Sequence, residues 1–210
     1  MTRDNVRRQK VNRAYKHGMR NENAPRCIGP ITHGCEVFGI TKGDFSMIDI
    51  LRHVLEEIGP ARVDIGTWTA AAADIGIAFD LLKRDDILGM RWLVDRSFPQ
   101  RQERYYLSLM ERFGQDCIRL ARFHAKFILL ENDRFSVAVR TSMNLNLNRR
   151  IEFYEISEGT PISGFMREIV DYHFSMPSED SYEAFKRFQL GKEADPADKD
   201  PWGTIDWGGW

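Results

Sequence analysis

The chain has 210 residues, 42% of them hydrophobic, and a formal net charge of -1 at pH 7. This length suits one hydrophobic core of ordinary size with some additional terminal material, and two full domains would be cramped. No uncharged apolar run approaches the roughly 20 residues that span a bilayer, and no apolar stretch follows the first residues, so we expect neither a membrane span nor a secretory signal.

The cysteines are too few and too scattered for a structural role. Cys27, Cys35 and Cys117 form an odd set, and none of them belongs to a C-x-x-C pair of the kind that holds zinc. Reduced thiols are typical of the cytoplasm. We therefore expect a soluble cytoplasmic protein with no disulfide framework and no metal site.

The two ends of the chain carry opposite charge. Residues 1–30 hold eight Lys or Arg against two acidic residues, whereas residues 177–210 hold eight acidic residues against four basic ones. We interpret residues 1–36 as a basic N-terminal helix or arm that packs weakly. Contact with nucleic-acid phosphates is one role for it, and a solvated or subunit-bracing arm is the other.

The intervening residues 37–176 alternate helical and strand patterns. In chain order they predict a helix at 46–58, a strand at 62–69, a helix at 70–84, a strand at 90–94, a helix at 101–113, a segment 118–123 leading into a strand at 124–130, its paired strand at 135–140, a strand at 151–157 and a helix at 161–174. This alternation predicts an α/β domain with a mixed, mostly parallel sheet flanked by helices.

Residues 177–210 form an acidic tail that contains proline and ends in aromatic residues. Trp202, Trp207 and Trp210 are three of the five tryptophans in the chain. Such a segment suits a docking peptide for a partner protein or another subunit. The alternative is that it packs back on its own domain.

Two pairs of polar residues point to one anion-binding site. On a strand, residues i and i+2 project to the same face, so His124 and Lys126 would lie side by side, followed by a buried apolar run. After a hairpin, Ser142 and Asn144 form a second i, i+2 pair that can approach the first. An imidazole, an ammonium, a hydroxyl and an amide suit a phosphoryl group, which needs a nucleophile, a cation and donors for its oxygens.

This segment resembles the phospholipase D superfamily, whose signature is His-x-Lys, then Asp after four residues, then a Gly-Ser-x-Asn-like sequence. Here His124-Ala125-Lys126 fits, Glu131 stands in place of the Asp, and Thr141-Ser142-Met143-Asn144 replaces Gly-Ser-x-Asn. Glu152 falls where family nucleases commonly place an acid that orients the histidine. Residues 63–70 and 91–97 look like the upstream strands of the family in the same order, so the resemblance covers roughly residues 37–175.

The resemblance implies a specific mechanism. The histidine attacks phosphorus to give a phosphohistidine, a second histidine protonates the leaving oxygen, and water releases the product without a metal or other cofactor. Two motifs build one site, and this chain has one, so the resemblance implies a homodimer in which His124 of both subunits meets at the two-fold axis. Lys126 and Asn144 would bind phosphate oxygens, Ser142 would assist, and Glu152 would hold the imidazole.

Three functions remain open. The first is a nuclease that hydrolyses phosphodiester bonds of nucleic acid, with DNA expected over RNA, and with Thr141, Glu131, Arg149 and Arg150 as substrate-binding residues. The second is a catalytically weak or inactive nucleic-acid-binding protein on the same fold, favoured by the departures at Glu131 and Thr141. The third is a lipid phosphodiesterase or transferase, for which no membrane-binding apolar segment is apparent.

Overall fold

The structure is a computed structural model that describes residues 12–18, for which the backbone alone is considered, together with residues 23–146 and 149–176. The first eleven residues of the predicted basic arm and the predicted acidic tail at 177–210 lie outside the described residues. None of the described helices has the length and apolar character needed to cross a bilayer.

Strands and helices alternate along the described chain. The strands are β1 (Asn12–Gly18), β2 (Cys35–Thr41), β3 (Ala61–Thr67), β4 (Ile87–Asp95), β5 (Ile118–Ala121), β6 (Phe127–Glu131), β7 (Ser136–Thr141) and β8 (Glu152–Glu158). The helices are α1 (Ala24–Ile28), α2 (Met47–Ile58), α3 (Ala72–Lys83), α4 (Phe98–Arg101), α5 (Glu103–Phe113) and α6 (Thr160–Ser175), and a 3-10 turn spans Gln115–Cys117.

The strands form one sheet whose order, over the described residues, is β1-β2-β8-β7-β6-β3-β4-β5. The α/β class with flanking helices is confirmed, but the prediction of a mostly parallel sheet is wrong. Four of the seven pairings are antiparallel, namely β2 with β8, β8 with β7, β7 with β6, and β6 with β3. In two of them, β6 with β7 and β7 with β8, the strands follow one another without an intervening helix, whereas a parallel pair needs a long crossover.

Helices cover the sheet on both faces. α2, α3 and α5 pack on one face in the larger core, and α6 packs on the other in a smaller one. In β6, Ile128 and Leu130 enter the larger core, whereas Phe127 and Leu129 enter the smaller. The predicted apolar strand covered on both faces is therefore confirmed, and it lies in the middle of the sheet.

The packed region begins before the predicted domain boundary at residue 37. β1 pairs in parallel with β2, and residues 35 and 36 already belong to β2. Ala24, Cys27 and Ile28 of α1 are buried, as is Ile31. Part of the predicted arm is thus the edge of the sheet, because α1 carries the apolar side chains that attach it to the core.

Candidate active site

Several chain segments meet where the strands begin or end, along an edge of the sheet that runs across the strands. Gly66 at the end of β3 pairs with Phe127 at the start of β6, and Thr141 at the end of β7 pairs with Tyr154 near the start of β8. The carboxyl ends of β3, β4 and β7 therefore lie beside the amino ends of β6 and β8. Polar residues just outside these strand ends, at 67–70, 95–101, 122–126 and 141–152, share this edge.

His124 and Lys126 lie next to each other at this edge. The Lys126 Nζ is 3.2 Å from Nδ1 and 3.4 Å from Nε2 of His124. The imidazole is exposed and the lysine is half-buried. The structure thus brings the predicted pair together. It differs in placing both residues in an extended segment before β6 rather than within the strand, because β3 ends its pairing with β6 at Phe127.

Two effects act on the pKa of Lys126 in opposite directions. Burial lowers the pKa of Lys126, and the nearby Glu152 carboxylate acts in the opposite direction. The backbone of the same residue is fixed, because its carbonyl accepts a hydrogen bond of 3.1 Å from the Thr141 amide. A cation is therefore fixed at the edge between the imidazole and a carboxylate.

Glu152 holds Ser142 in the structure. The Ser142 hydroxyl donates to the Glu152 carboxylate, and the Phe153 amide donates to that hydroxyl oxygen at 3.1 Å. Among the contacts of the described residues, the hydrogen bond expected between Glu152 and the His124 ring is absent. The carboxylate therefore belongs to the same edge as the imidazole but orients a different side chain.

Thr141 and Asn144 have different surroundings. The Thr141 hydroxyl is buried, donates to the Phe153 carbonyl at 2.6 Å and accepts from the Met143 amide at 3.0 Å, so it supports the turn rather than facing the site. Its backbone is extended in β7, so its Cβ causes no strain. The Asn144 Oδ1 is buried with no hydrogen-bond partner among the described residues, which leaves Nδ2 as the group able to donate to a phosphate oxygen.

Of the three remaining predicted substrate-binding residues, two lie at the same strand ends as His124 and one lies at the opposite strand ends. Arg149 and Arg150 are exposed in the loop before β8, at the same edge as His124. Glu131 lies at the opposite end of β6, about 16 Å from Lys126 at the usual rise of a strand, and forms an ion pair with Arg167 of α6. The structure therefore does not bring Glu131 together with His124 and Lys126, since β6 runs away from them.

Sequence reasoning missed Trp68 and Arg101. The half-buried Trp68 ring lies 5.5 Å from the His124 ring between centroids, and the Arg101 guanidinium lies 3.6 Å from the centroid of Trp68 on its face. Burial lowers the pKa of Arg101, and Asp95 opposes this shift. Trp68 directly follows β3 at its carboxyl end, a position where sheet proteins bind ligands, and that signal was available in the sequence.

Taken together, one exposed edge presents an imidazole, an ammonium, a hydroxyl bonded to a carboxylate, an amide and two arginines. The imidazole can act as a nucleophile or transfer a proton, and the cations can bind an oxyanion. The near-neutral chain therefore contains a local positive surface suited to a phosphate group.

No protein-family model matches the chain, and no curated protein is significantly similar to it. Among solved structures, the polyphosphate kinase from Porphyromonas gingivalis is similar in fold, with a TM-score of 0.50 and 15% sequence identity. The similarity covers 74% of this chain but 31% of the polyphosphate kinase. At this level of identity the comparison shows a shared fold.

Proposed function

We propose that the protein is a phosphodiesterase of phospholipase D type that hydrolyses nucleic acid. The observation that carries the proposal is the contact between His124 and Lys126 at an exposed sheet edge that also holds Ser142, Asn144 and Glu152. The fold is shared with a polyphosphate kinase, an enzyme that transfers phosphoryl groups, and this supports phosphoryl-transfer chemistry in general. The finer assignment to a nuclease rests on charge and on the motif.

In the proposed reaction, a nitrogen of the His124 ring attacks phosphorus. A P–N bond forms, the P–O bond to the leaving alcohol breaks, and the leaving oxygen takes a proton from a second imidazole. Water then gives a proton to the second imidazole and attacks phosphorus, the P–N bond breaks, and the His124 imidazole is released. Lys126 and Asn144 Nδ2 stabilise the charge on the phosphoryl oxygens, and the reaction requires no cofactor.

The second imidazole is proposed to come from another copy of the chain. Each chain has one His-x-Lys motif, and His124 is exposed in the isolated chain. A two-fold axis beside His124 would bring the two rings to one phosphorus, since the same surface of both subunits meets at such an axis. The proposed enzyme is therefore a homodimer with one shared site.

Nucleic acid is the proposed substrate because cations surround the site. Arg149 and Arg150 are exposed at the same edge as His124, and the N-terminal 30 residues have a large excess of Lys and Arg. Contacts between such residues and phosphates provide affinity without reading sequence. We propose DNA rather than RNA as the substrate.

The test is cleavage of plasmid and single-stranded DNA in EDTA by the wild type and by His124→Ala, with His33→Ala as control. His33 is also an exposed histidine, with 66% of its side chain accessible, but it contacts Glu158 at the opposite end of β8. We expect the wild type and the control to cut, and the His124 variant to lose at least about 1,000-fold in rate, as for removal of a nucleophile. Acid-labile phosphate on His124 in quenched reactions would identify the intermediate.

A specific observation favours a second candidate, a nucleic-acid-binding protein without activity. The carboxylate expected to orient the imidazole bonds instead to Ser142. DNA retention by both the wild type and His124→Ala, with no cleavage by either, would support this candidate and reject the nuclease. Release of lipid headgroups by the wild type would instead indicate a lipid substrate.

A further inference from the structure

Trp68 is the aromatic side chain that contacts the ring of His124. It extends from the end of β3, and the two rings meet edge to face, with an interplanar angle of 61°. Aromatic pairs favour such arrangements over parallel stacking. The exposed imidazole, which the Lys126 ammonium contacts through its nitrogens, is therefore also packed against a large, half-buried side chain.

Arg101 contacts both the ring and the backbone of Trp68 and holds this residue in place. The guanidinium lies over the indole face, its Nη2 donates to the Trp68 carbonyl at 2.8 Å, and its Nε donates to the Ser97 hydroxyl at 2.8 Å. A cation held over the face of tryptophan is a favourable contact. Side chain and backbone of Trp68 are thus bound by one arginine, which leaves the indole little freedom to move.

Asp95, at the end of β4, joins this support to the segment that carries His124. One carboxylate oxygen accepts a hydrogen bond from the Ser97 amide at 2.9 Å, and the other accepts from the Phe123 amide at 3.1 Å. Ser97 in turn contacts Arg101. The same carboxylate therefore binds the backbone before His124 and, through Ser97, the arginine that contacts Trp68. The Trp68 ring and the main chain of the His124 segment are thus held by one set of hydrogen bonds.

We propose that Trp68, supported by Arg101, is the positioning residue that holds the His124 imidazole in its reactive orientation. It takes the part that Glu152 would otherwise play. This inference rests on the proposed function for its effect on rate, while the orientation of the ring is independent of any activity. Trp68 has no acid–base chemistry at neutral pH and acts through His124 alone.

Two substitutions test the effect on rate. Trp68→Phe keeps an aromatic ring against His124, and Trp68→Leu removes it. We expect Trp68→Leu to lower kcat about 10- to 100-fold with KM within about two-fold of wild type, because misplacing a reacting group costs rate rather than affinity. Trp68→Phe should stay within about three-fold of the wild-type kcat. Tyr105→Leu, which removes an exposed aromatic residue of α5 (37% accessible), is the control.

A second measurement does not depend on activity. In the full chain with ¹³C-labelled histidine, relaxation of the His124 ring should give an order parameter near the rigid value of about 0.85 in the wild type and in Trp68→Phe, and below about 0.6 in Trp68→Leu. His33, assigned by its loss in His33→Ala, should not change. If Trp68→Leu fails to fold, Arg101→Met provides the same test, because it keeps the indole of Trp68 but removes the guanidinium that holds the indole in place.

The outcomes separate the two proposals. A wild type that cuts no phosphodiester would reject the proposed function, and the relaxation measurement would still decide the role of Trp68. A His124 ring that is equally mobile in the wild type and in Trp68→Leu would overturn the positioning role. So would a fall in kcat of Trp68→Leu without any change in the order of the ring.

Discussion

At the scale of residues, the central contact of the site joins a lysine to a histidine. The Lys126 ammonium lies within 3.4 Å of both ring nitrogens of His124, and it is poorly solvated enough that burial lowers its pKa. The carboxylate of Glu152 counters this effect, so Glu152 supports the charge of Lys126 as well as the hydroxyl of Ser142.

This arrangement predicts the alkaline limit of anion binding. Lys126 binds phosphate oxygens while it is protonated, so affinity is full below its pKa and falls as the pH rises through it. That limit should lie below 10.5, the ordinary value for lysine. In Glu152→Gln the limit should move to lower pH, because the carboxylate that raises the pKa is gone. The measurement is the pH dependence of binding of a short oligonucleotide to the inactive His124→Ala protein.

Lys126→Arg is the matched variant, since arginine stays charged at every accessible pH. It should bind without an alkaline limit in this range. An unchanged limit in both Glu152→Gln and Lys126→Arg would show that another group titrates.

At the scale of elements, the position of the segment that carries His124 depends on the close contact of β3 with β6. Gly66 pairs with Phe127, and a Cβ at Gly66 would lie 2.5 Å from the Phe127 ring and 2.8 Å from the Phe123 ring. Both rings belong to the smaller core under α6. The absence of a side chain at this position therefore allows Phe123 to pack immediately before His124.

Gly66→Ala should consequently damage both stability and the site. We expect a loss of about 1–3 kcal/mol in the free energy of unfolding, as for other overpacked cores. We also expect at least about a 10-fold loss in the rate of DNA cleavage, because the segment with His124 must shift. Urea unfolding and the nicking assay measure the two effects.

Gly89→Ala is the control for this prediction. Gly89 also lies in a strand, but a Cβ there meets nothing within 4 Å. It should leave stability within about 0.5 kcal/mol of wild type and activity unchanged. Equal behaviour of the two alanine variants would refute the packing argument.

At the scale of the whole molecule, charge is distributed unevenly despite a net value of -1. Residues 1–10 contain Arg3, Arg7, Arg8 and Lys10, immediately before the strand β1 at the edge of the sheet. Electrostatic attraction of a polyanion depends on such local excess rather than on the total. The basic segment is therefore a candidate for the main nonspecific contact with nucleic acid.

Replacing these four basic residues with glutamine decides between the two interpretations of the arm. If it contacts phosphates, the slope of log affinity against log salt should decrease in magnitude by about 2–4, at roughly 0.7–0.9 per lost contact. Hydrolysis of the small diester bis(p-nitrophenyl) phosphate should not change, because it needs only the site. An unaltered slope for DNA would instead indicate a solvated or subunit-bracing arm.

The sequence by itself determined those features that depend on neighbours along the chain. α2 begins after Ser46, which forms a capping box with Asp49, and ends before Gly59, so its bounds were predictable within one residue. His124 and Lys126 are two residues apart, and an extended backbone keeps them together whether or not the strand includes them. Their proximity therefore followed from local geometry.

Only the tertiary structure decided the contacts between distant segments. Trp68 reaches His124 from the end of β3, and Arg101 of α4 lies over the Trp68 ring. Glu152 bonds to Ser142 and not to the imidazole, and β6 carries Glu131 to the opposite strand ends. The direction of each strand and the place of β1 were decided in the same way. The physical reason is that strand pairing and packing depend on contacts across the whole sheet. A sequence pattern indicates which face of a helix or strand is apolar, but not which partner covers that face.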